Sequence, residues 1–312
     1  MPGFVSVALA VDFLAATVRM ATPLGYAAVG GVFSERAGVF NIALEGMMLT
    51  GAFAAVVGSY WAGDPWAGLV LAAGAGAALA SIHAMAAVSF GANQIVVGLA
   101  INLIALGATT YLNRELIRTQ AILRVPAFEP VAVPGLVQLP VVGPVLFRQP
   151  APVFLLAVLV VVATVVLFKT PAGLAVRAVG EYPRAVDTAG LPVAGIRYAC
   201  VIVSGAMAAL GGAFLSIAHV NLFTENMSAG RGFIALTAVI FGKWHPVGAL
   251  AACLLFGAAD ALQLRIQAYD LGIPYQVPVM MPYLLALLVM SGVVGRSPAP
   301  AAAGIPYRKE EG

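Results

Sequence analysis

The stretch Ser34–Gly51, SERAGVFNIALEGMMLTG, decides how the rest of the chain is read. It sets Asn41 and Glu45 four residues apart within an apolar run. At helical spacing these two side chains share one face. An amide and a carboxylate amid hydrocarbon are costly, so they are expected to face a protein-lined cavity rather than lipid. Of 312 residues, 62% are hydrophobic and 9% charged, and the mean hydropathy is +0.99. Soluble domains run at about 45–50% apolar and about 25% charged. Several apolar runs here reach the roughly 20 residues that a spanning helix needs. A transmembrane β-barrel would alternate polar and apolar residues, and runs such as Val153–Phe168 do not. The expected fold is therefore all-α. It is a polytopic transmembrane helical bundle of about 8–10 spans, some broken or kinked, in which a span needs about 20 residues.

Outward from that stretch, Phe4–Met20 reads as a helix, and Pro23 separates it from Leu24–Phe33. One kinked helix or two short ones are both compatible with that proline. Val39–Tyr60 reads as the next span, closed by a Gly63-Asp64-Pro65 turn. Trp61 and Trp66 flank the turn, as aromatic residues do at a membrane interface. Trp66–Phe90 is dense in Ala and Gly, which permits close helix packing; His83 on it reads as a packed residue rather than a ligand. In Asn93–Asn113, Gln94, Gly98 and Asn102 recur at every fourth position and form a polar, small-residue stripe. Such a stripe serves either interhelical hydrogen bonding or a pathway lining.

Residues 114–152 carry Pro126, Pro130, Pro134, Pro140, Pro144, Pro150 and Pro152, with Arg114, Arg118, Arg124 and Arg148. Proline at that density excludes a continuous helix, so an extracytoplasmic loop with short strands is expected. Val153–Phe168 spans again. Residues 169–197 place Lys169, Arg177, Arg184 and Arg197 near membrane ends, which favours the cytoplasmic side. Within them Pro183 suits a helix start and Gly190 a helix end, so Pro183–Ala189 is expected to form a short surface helix. Arg197–His219 spans next. Asn221–Gly232 is polar and glycine-rich, and Phe233–Phe241 is too short to cross a bilayer. Gly242–Gly248 interrupts the apolar run before Ala249–Leu264. Broken helices at membrane depth line cavities or are buried in protein. A polar loop (Arg265–Gln276), a last span (Val277–Val294) and a cytoplasmic tail over 296–312 complete a single domain, residues 1–312.

Several function classes fall away. The net charge of +3 comes from scattered basic residues, with no block suited to nucleic acid. Cys200 and Cys253 lie in apolar runs and no CxxC occurs, so neither a disulfide nor a metal site is expected. The start has no basic n-region and Asp12 interrupts its apolar run, so a cleaved signal peptide is not expected. The sole Gly-Lys pair, Gly242-Lys243, lacks the upstream glycine of a P-loop. There is no HExxH and no GxSxG. The chain is not expected to be an enzyme.

Pro23–Phe53 resembles the first block of permease subunits of simple-sugar and nucleoside ABC importers, in the branched-chain amino acid/ribose permease superfamily. Arg177–Val193 resembles that family's cytoplasmic coupling region, and Phe223–Gln267 its third block. Pro134–Phe147 is similar to the external loop of the nucleoside branch. The resemblance implies a permease subunit in the bacterial inner (plasma) membrane, paired with a second, usually different, homologous permease. A cytoplasmic ATP-binding subunit would hold the ATP and magnesium, so this chain binds no cofactor; an extracytoplasmic binding protein would deliver nucleosides or related sugars. It also implies a coupling helix seated on the ATPase, here Pro183 to Gly190 with Arg184 and Asp187, and with Arg177 and Glu181 beside it.

Polarity otherwise unexplained nominates Asn41, Glu45, Gln94, Asn102, Asn226, Ser228 and Thr237 for the substrate pathway. Phe40, Phe223 and Phe233 are expected to offer flat faces to a base or sugar ring. Arg231 and Asp260 are expected to form a structural pair. A different function class stays open beside the importer: an ion-coupled secondary transporter or channel that uses Glu45 as its proton or cation site.

Overall fold

The computed structural model describes residues 2–118, 125–268, 274, 276–288 and 298–307. The first helix, α1 (Pro2–Arg36), runs unbroken through Pro23, which settles the question that proline raised. The chain does not then re-enter a helix at Val39. Gly38 takes φ +84°, residues 38–41 are non-helical, and α2 (Leu44–Ala62) starts only at Leu44. Asn41 and Glu45 therefore do not share a helical face, and the expected span Val39–Tyr60 is shortened from its start. The reason is tertiary: side chains of later helices hold the backbone of residues 38–43 out of the helix.

Next come α3 (Pro65–Ala84), opened by an Asp64 cap on the Trp66 amide, and α4 (Gln94–Leu112), capped by Asn93. Trp61 and Trp66 are exposed on either side of the intervening turn. In the proline-rich region, β1 (Pro130–Ala132), a short helix α5 (Val142–Leu146) and β2 (Arg148–Pro150) form a hairpin-like lid, with Val131 opposite Gln149. The fully buried Gln149 pins the lid from within, donating to the Val145 carbonyl at 2.7 Å. α6 (Ala151–Lys169) crosses back, followed by the helical pair α7 (Pro171–Glu181) and α8 (Pro183–Thr188). The short surface helix thus forms where the proline and glycine place it.

α9 (Val193–Phe214) is the most buried span and packs on α1, α2 and α3. At Gly212 a Cβ would overlap the Met48 carbonyl oxygen, so only glycine lets α9 approach α2 this closely. α9 continues in wider turns through Val220, and the chain then leaves helical geometry at Asn221, φ +62°. α10 (Arg231–Phe241) is 11 residues long, or about 16 Å. Lys243 and Trp244, both at positive φ, turn the chain into α11 (Pro246–Ala268), which lies along α1. The described part of the last span is α12 (Gln276–Leu288).

Six described helical stretches are long and apolar enough to cross a membrane. α2, α10 and α12 complete the bundle, whose core gathers Leu24, Leu44, Met48, Val201 and Phe256. The chain is an all-α, multi-pass membrane protein. Arg124, Arg296, Arg308 and Lys309 of the expected loop and tail lie outside the described residues.

Candidate functional site

Two interrupted elements meet inside the bundle, and Glu45 joins them. The carboxylate lies in the first turn of α2. Its Oε1 accepts the Gly230 amide at 2.8 Å, and its Oε2 accepts the Gly232 amide at 2.6 Å. These are N–H groups that the start of α10 leaves without intrahelical partners. A carboxylate there also faces the positive end of the helix dipole. α10 runs from this clasp to the Trp244 turn, beside the end of α1. The length of α10 therefore sets Glu45 roughly 16 Å from the Trp244 turn at the α7–α8 end.

The other interruption, residues 38–43, is held by side chains of α3, α4 and α9. Gln94 Oε1 accepts the Phe40 amide at 2.8 Å, and His83 Nε2 lies 3.1 Å from the Phe40 carbonyl. Asn102 accepts the Gly46 amide at 2.8 Å and donates to the Ile42 carbonyl at 3.0 Å. Asn41 Nδ2 donates to Ser204 Oγ at 3.0 Å and also reaches Met47 Sδ. The structure thus brings Asn41, Glu45, Gln94 and Asn102 to one region around residues 38–46. Sequence reading missed His83, Ser204, Gly230 and Gly232 as members. The glycine-rich SAGRG run was the available signal for the last two.

The remaining nominated residues disperse. Ser228 is buried in the interrupted stretch before α10, with Oγ unpartnered among the described residues. Asn226 is exposed at φ +57°. Thr237 bonds back to the Phe233 carbonyl within α10, and Phe233 itself is exposed. Phe223 is buried edge-on against Phe53, with centroids 5.4 Å apart. Arg231 and Asp260, expected as a pair, lie near enough for their charges to act on one another, but they make no direct ion pair. Arg231 donates instead to the Met227 and Ser228 carbonyls, and the two residues share the lining of a cavity of about 140 Å³ with Gln263 and Tyr283.

At the far end of α10, the α7–α8 pair meets the ends of α1 and α6. Trp244 Nε1 donates to the buried Glu35 at 2.6 Å, and Arg36 donates to the Trp244 carbonyl at 2.9 Å. The guanidiniums of Arg36 and Arg177 lie over the Phe168 ring at 5.6 and 5.3 Å, and His245 stacks on it with centroids 4.6 Å apart. Burial, and then the nearby Arg36 charge, push the His245 imidazole below its ordinary value of 6.5. Beyond this cluster Glu181, Pro183 and Arg184 line a groove of about 710 Å³, with residues 301–307 as its other wall. Asp187 accepts the Tyr307 hydroxyl, and Gly190 closes α8 at φ +82°.

Comparison with known proteins agrees with this architecture. The chain is 43% identical over 304 residues to the guanosine ABC transporter permease protein NupQ of Bacillus subtilis, covering 94% of this chain and 95% of the relative. It is 38% identical over 300 residues to the nucleoside ABC transporter permease protein NupC of Lactococcus lactis, covering 93% and 94%. Identity to the putative glucose ABC transporter permease protein TsgC13 of Haloferax volcanii is 39% over 270 residues, 86% and 82% of the two chains. No solved structure matches it. Residues 13–294 match the family described as branched-chain amino acid transport system / permease component, and the chain belongs to that family.

Proposed function

We propose that this chain forms one half of the translocation pathway of an ATP-driven importer for nucleosides. The observation that carries the reading is the Glu45 clasp between two interrupted segments inside the helical bundle, in a chain whose relatives are named as guanosine and nucleoside permeases. Interrupted backbone inside a membrane bundle belongs where protein encloses it or surrounds a path for solute. The side carrying α7–α8 is assigned to the cytoplasm and the β1–β2 lid to the outside. Arg177, Glu181, Pro183, Arg184, Asp187 and Gly190 then meet a separate ATP-binding subunit, which supplies nucleotide and magnesium. A second, homologous permease completes the pathway, and a binding protein on the outer side delivers cargo.

Glucose, named for two relatives, makes a simple sugar the competing cargo. The ion-coupled alternative has less support, because both Glu45 oxygens already accept amides at the positive end of a helix, where a cation is disfavoured. Uptake into proteoliposomes containing this chain, its partner permease, the ATPase and the binding protein tests the proposal. Radiolabelled guanosine should accumulate only with ATP, and unlabelled glucose should not compete. Uptake that persists without the ATPase and collapses with the membrane potential would refute it.

A further inference from the structure

Residues 298–307 bond to both ends of the route that coupling requires. Toward α7–α8, the Ala302 amide donates to the Gly180 carbonyl at 2.8 Å, and the Ala301 amide to Glu181 Oε2 at 3.3 Å. The Tyr307 hydroxyl donates to Asp187 Oδ2 at 3.0 Å. Toward the interrupted segment, the Gly304 amide donates to the Gly38 carbonyl at 3.1 Å. A Cβ at Gly304 would meet the Phe40 ring at 2.9 Å, and its φ of +77° is one that side-chain-bearing residues rarely adopt. Arg197 of α9 fastens the same stretch, donating to the Ile305 carbonyl at 3.1 Å.

Residues 38–41 in turn are ringed by unused hydrogen-bonding capacity. Asn41 Oδ1, His83 Nδ1, Gln94 Nε2, and Arg197 Nε and Nη2 have no partner among the described residues, and none of these residues is more than 3% exposed. Buried polar groups are ordinarily paired, and each unpaired one costs about 1–3 kcal/mol. Four such residues surround this one short stretch, which is therefore less firmly held by side chains than its burial would demand. By contrast, the end of α1 is fixed by Arg36 to the Trp244 and Lys243 carbonyls.

We propose that residues 298–307 are the tie that carries movement of α7–α8 to residues 38–43. Displacing the helical pair then shifts Gly38 and Phe40, and through the first turn of α2 it shifts Glu45 and the start of α10. The inference rests on the reading of α7–α8 as the ATPase contact. Gly304→Val and a chain ended at residue 297 test it in the assembled complex, by co-purification with the ATPase, ATP turnover, and guanosine uptake. Both variants should co-purify at the wild-type level, while uptake per ATP falls about tenfold, the size of a typical coupling between sites. Tyr307→Phe, which removes the hydroxyl that bonds Asp187, should lower the same ratio less, and it decides the matter if the shortened chain does not insert. An unchanged uptake-per-ATP ratio would overturn the proposal. So would loss of co-purification, which would make the segment a docking surface instead. Arg184→Glu run in parallel separates the two ideas: normal assembly and normal coupling there would sink the α8 contact and leave the tie to be judged on Gly304 and Tyr307.

Discussion

Replacing Glu45 with Gln is the sharpest test of the clasp between α2 and α10. The carboxylate accepts two amides, at 2.8 and 2.6 Å, from Gly230 and Gly232. Gln is nearly isosteric but offers a single acceptor, so one amide meets an NH₂ group and loses its bond. A hydrogen bond to a charged group contributes about 1.5–3 kcal/mol. The lost charge at the helix start adds about 0.3–1 kcal/mol. The sum predicts about 2–4 kcal/mol of destabilisation from these two sources. Glu45→Asp, one methylene shorter, should lose at least as much because it cannot span both amides. Thermal unfolding of the purified protein in detergent reads the effect, as a fall in apparent Tm of several degrees. Guanosine uptake by the reconstituted complex should fall further than its assembly, because the loosened element is the start of the half-helix α10 inside the bundle. A Glu45→Gln protein with unchanged Tm and unchanged uptake would refute both the energetics and the role.

Five other substitutions probe the packing around this frame. Gly212→Ala forces a methyl group against the Met48 carbonyl and should prevent folding, whereas Gly74→Ala, with nothing within 4 Å of the added Cβ, should stabilise α3 by about 0.8–1.0 kcal/mol; equal yields of the two would sink the packing argument. Trp244→Phe removes the indole donor to Glu35 and should cost about 1–3 kcal/mol, part of which a second change, Glu35→Gln, should restore in the same melting assay; a second change that only adds to the loss would refute the pairing. The depressed His245 value means that the unfolded chain takes up a proton before the folded one does. Stability from the neutral ring is therefore complete above the ordinary value and declines as pH falls from there toward the folded value. Melting curves should show wild type losing more Tm than His245→Gln over that window, with Arg36, Arg177 and Lys243 unchanged, and parallel slopes would count against it.

Composition alone carried the fold class, because 9% charge cannot coat a soluble surface. Local chemistry carried two elements: Pro183 and Gly190 bracket α8, and the polar runs on either side of Phe233–Phe241 leave room only for a half-helix. The late start of α2 was not legible. Nothing in VFNIA opposes a helix, and the partners that hold it open, His83, Gln94, Asn102 and Ser204, lie 43 to 163 positions away along the chain. The same distance hid the Glu45 clasp, whose amides are 185 and 187 residues off. Residues 298–307 read as a polar tail because most of their bonds are made by backbone groups, which leave no side-chain signature. Only Gly304 and Tyr307 hint at constraint there.

The polar residues that sequence nominated for cargo are largely engaged in satisfying backbone. In lipid, an interrupted segment survives only if its amides and carbonyls find partners, and Glu45, Gln94 and Asn102 are those partners. A nucleoside hydroxyl that reached the start of α10 would have to take an amide from Glu45, exchanging a charged acceptor for a neutral one about half as strong. Binding at that point is then weak in the resting arrangement and improves only when the clasp is loosened by movement of residues 38–43. Under the proposed importer role, tight capture of cargo then falls to the proposed binding protein, and conduction to a site that never holds cargo well. Equilibrium dialysis of the purified permease pair with guanosine decides this: saturable submicromolar binding without the binding protein would contradict it, because a site that tight would require the Glu45 bonds to be already broken.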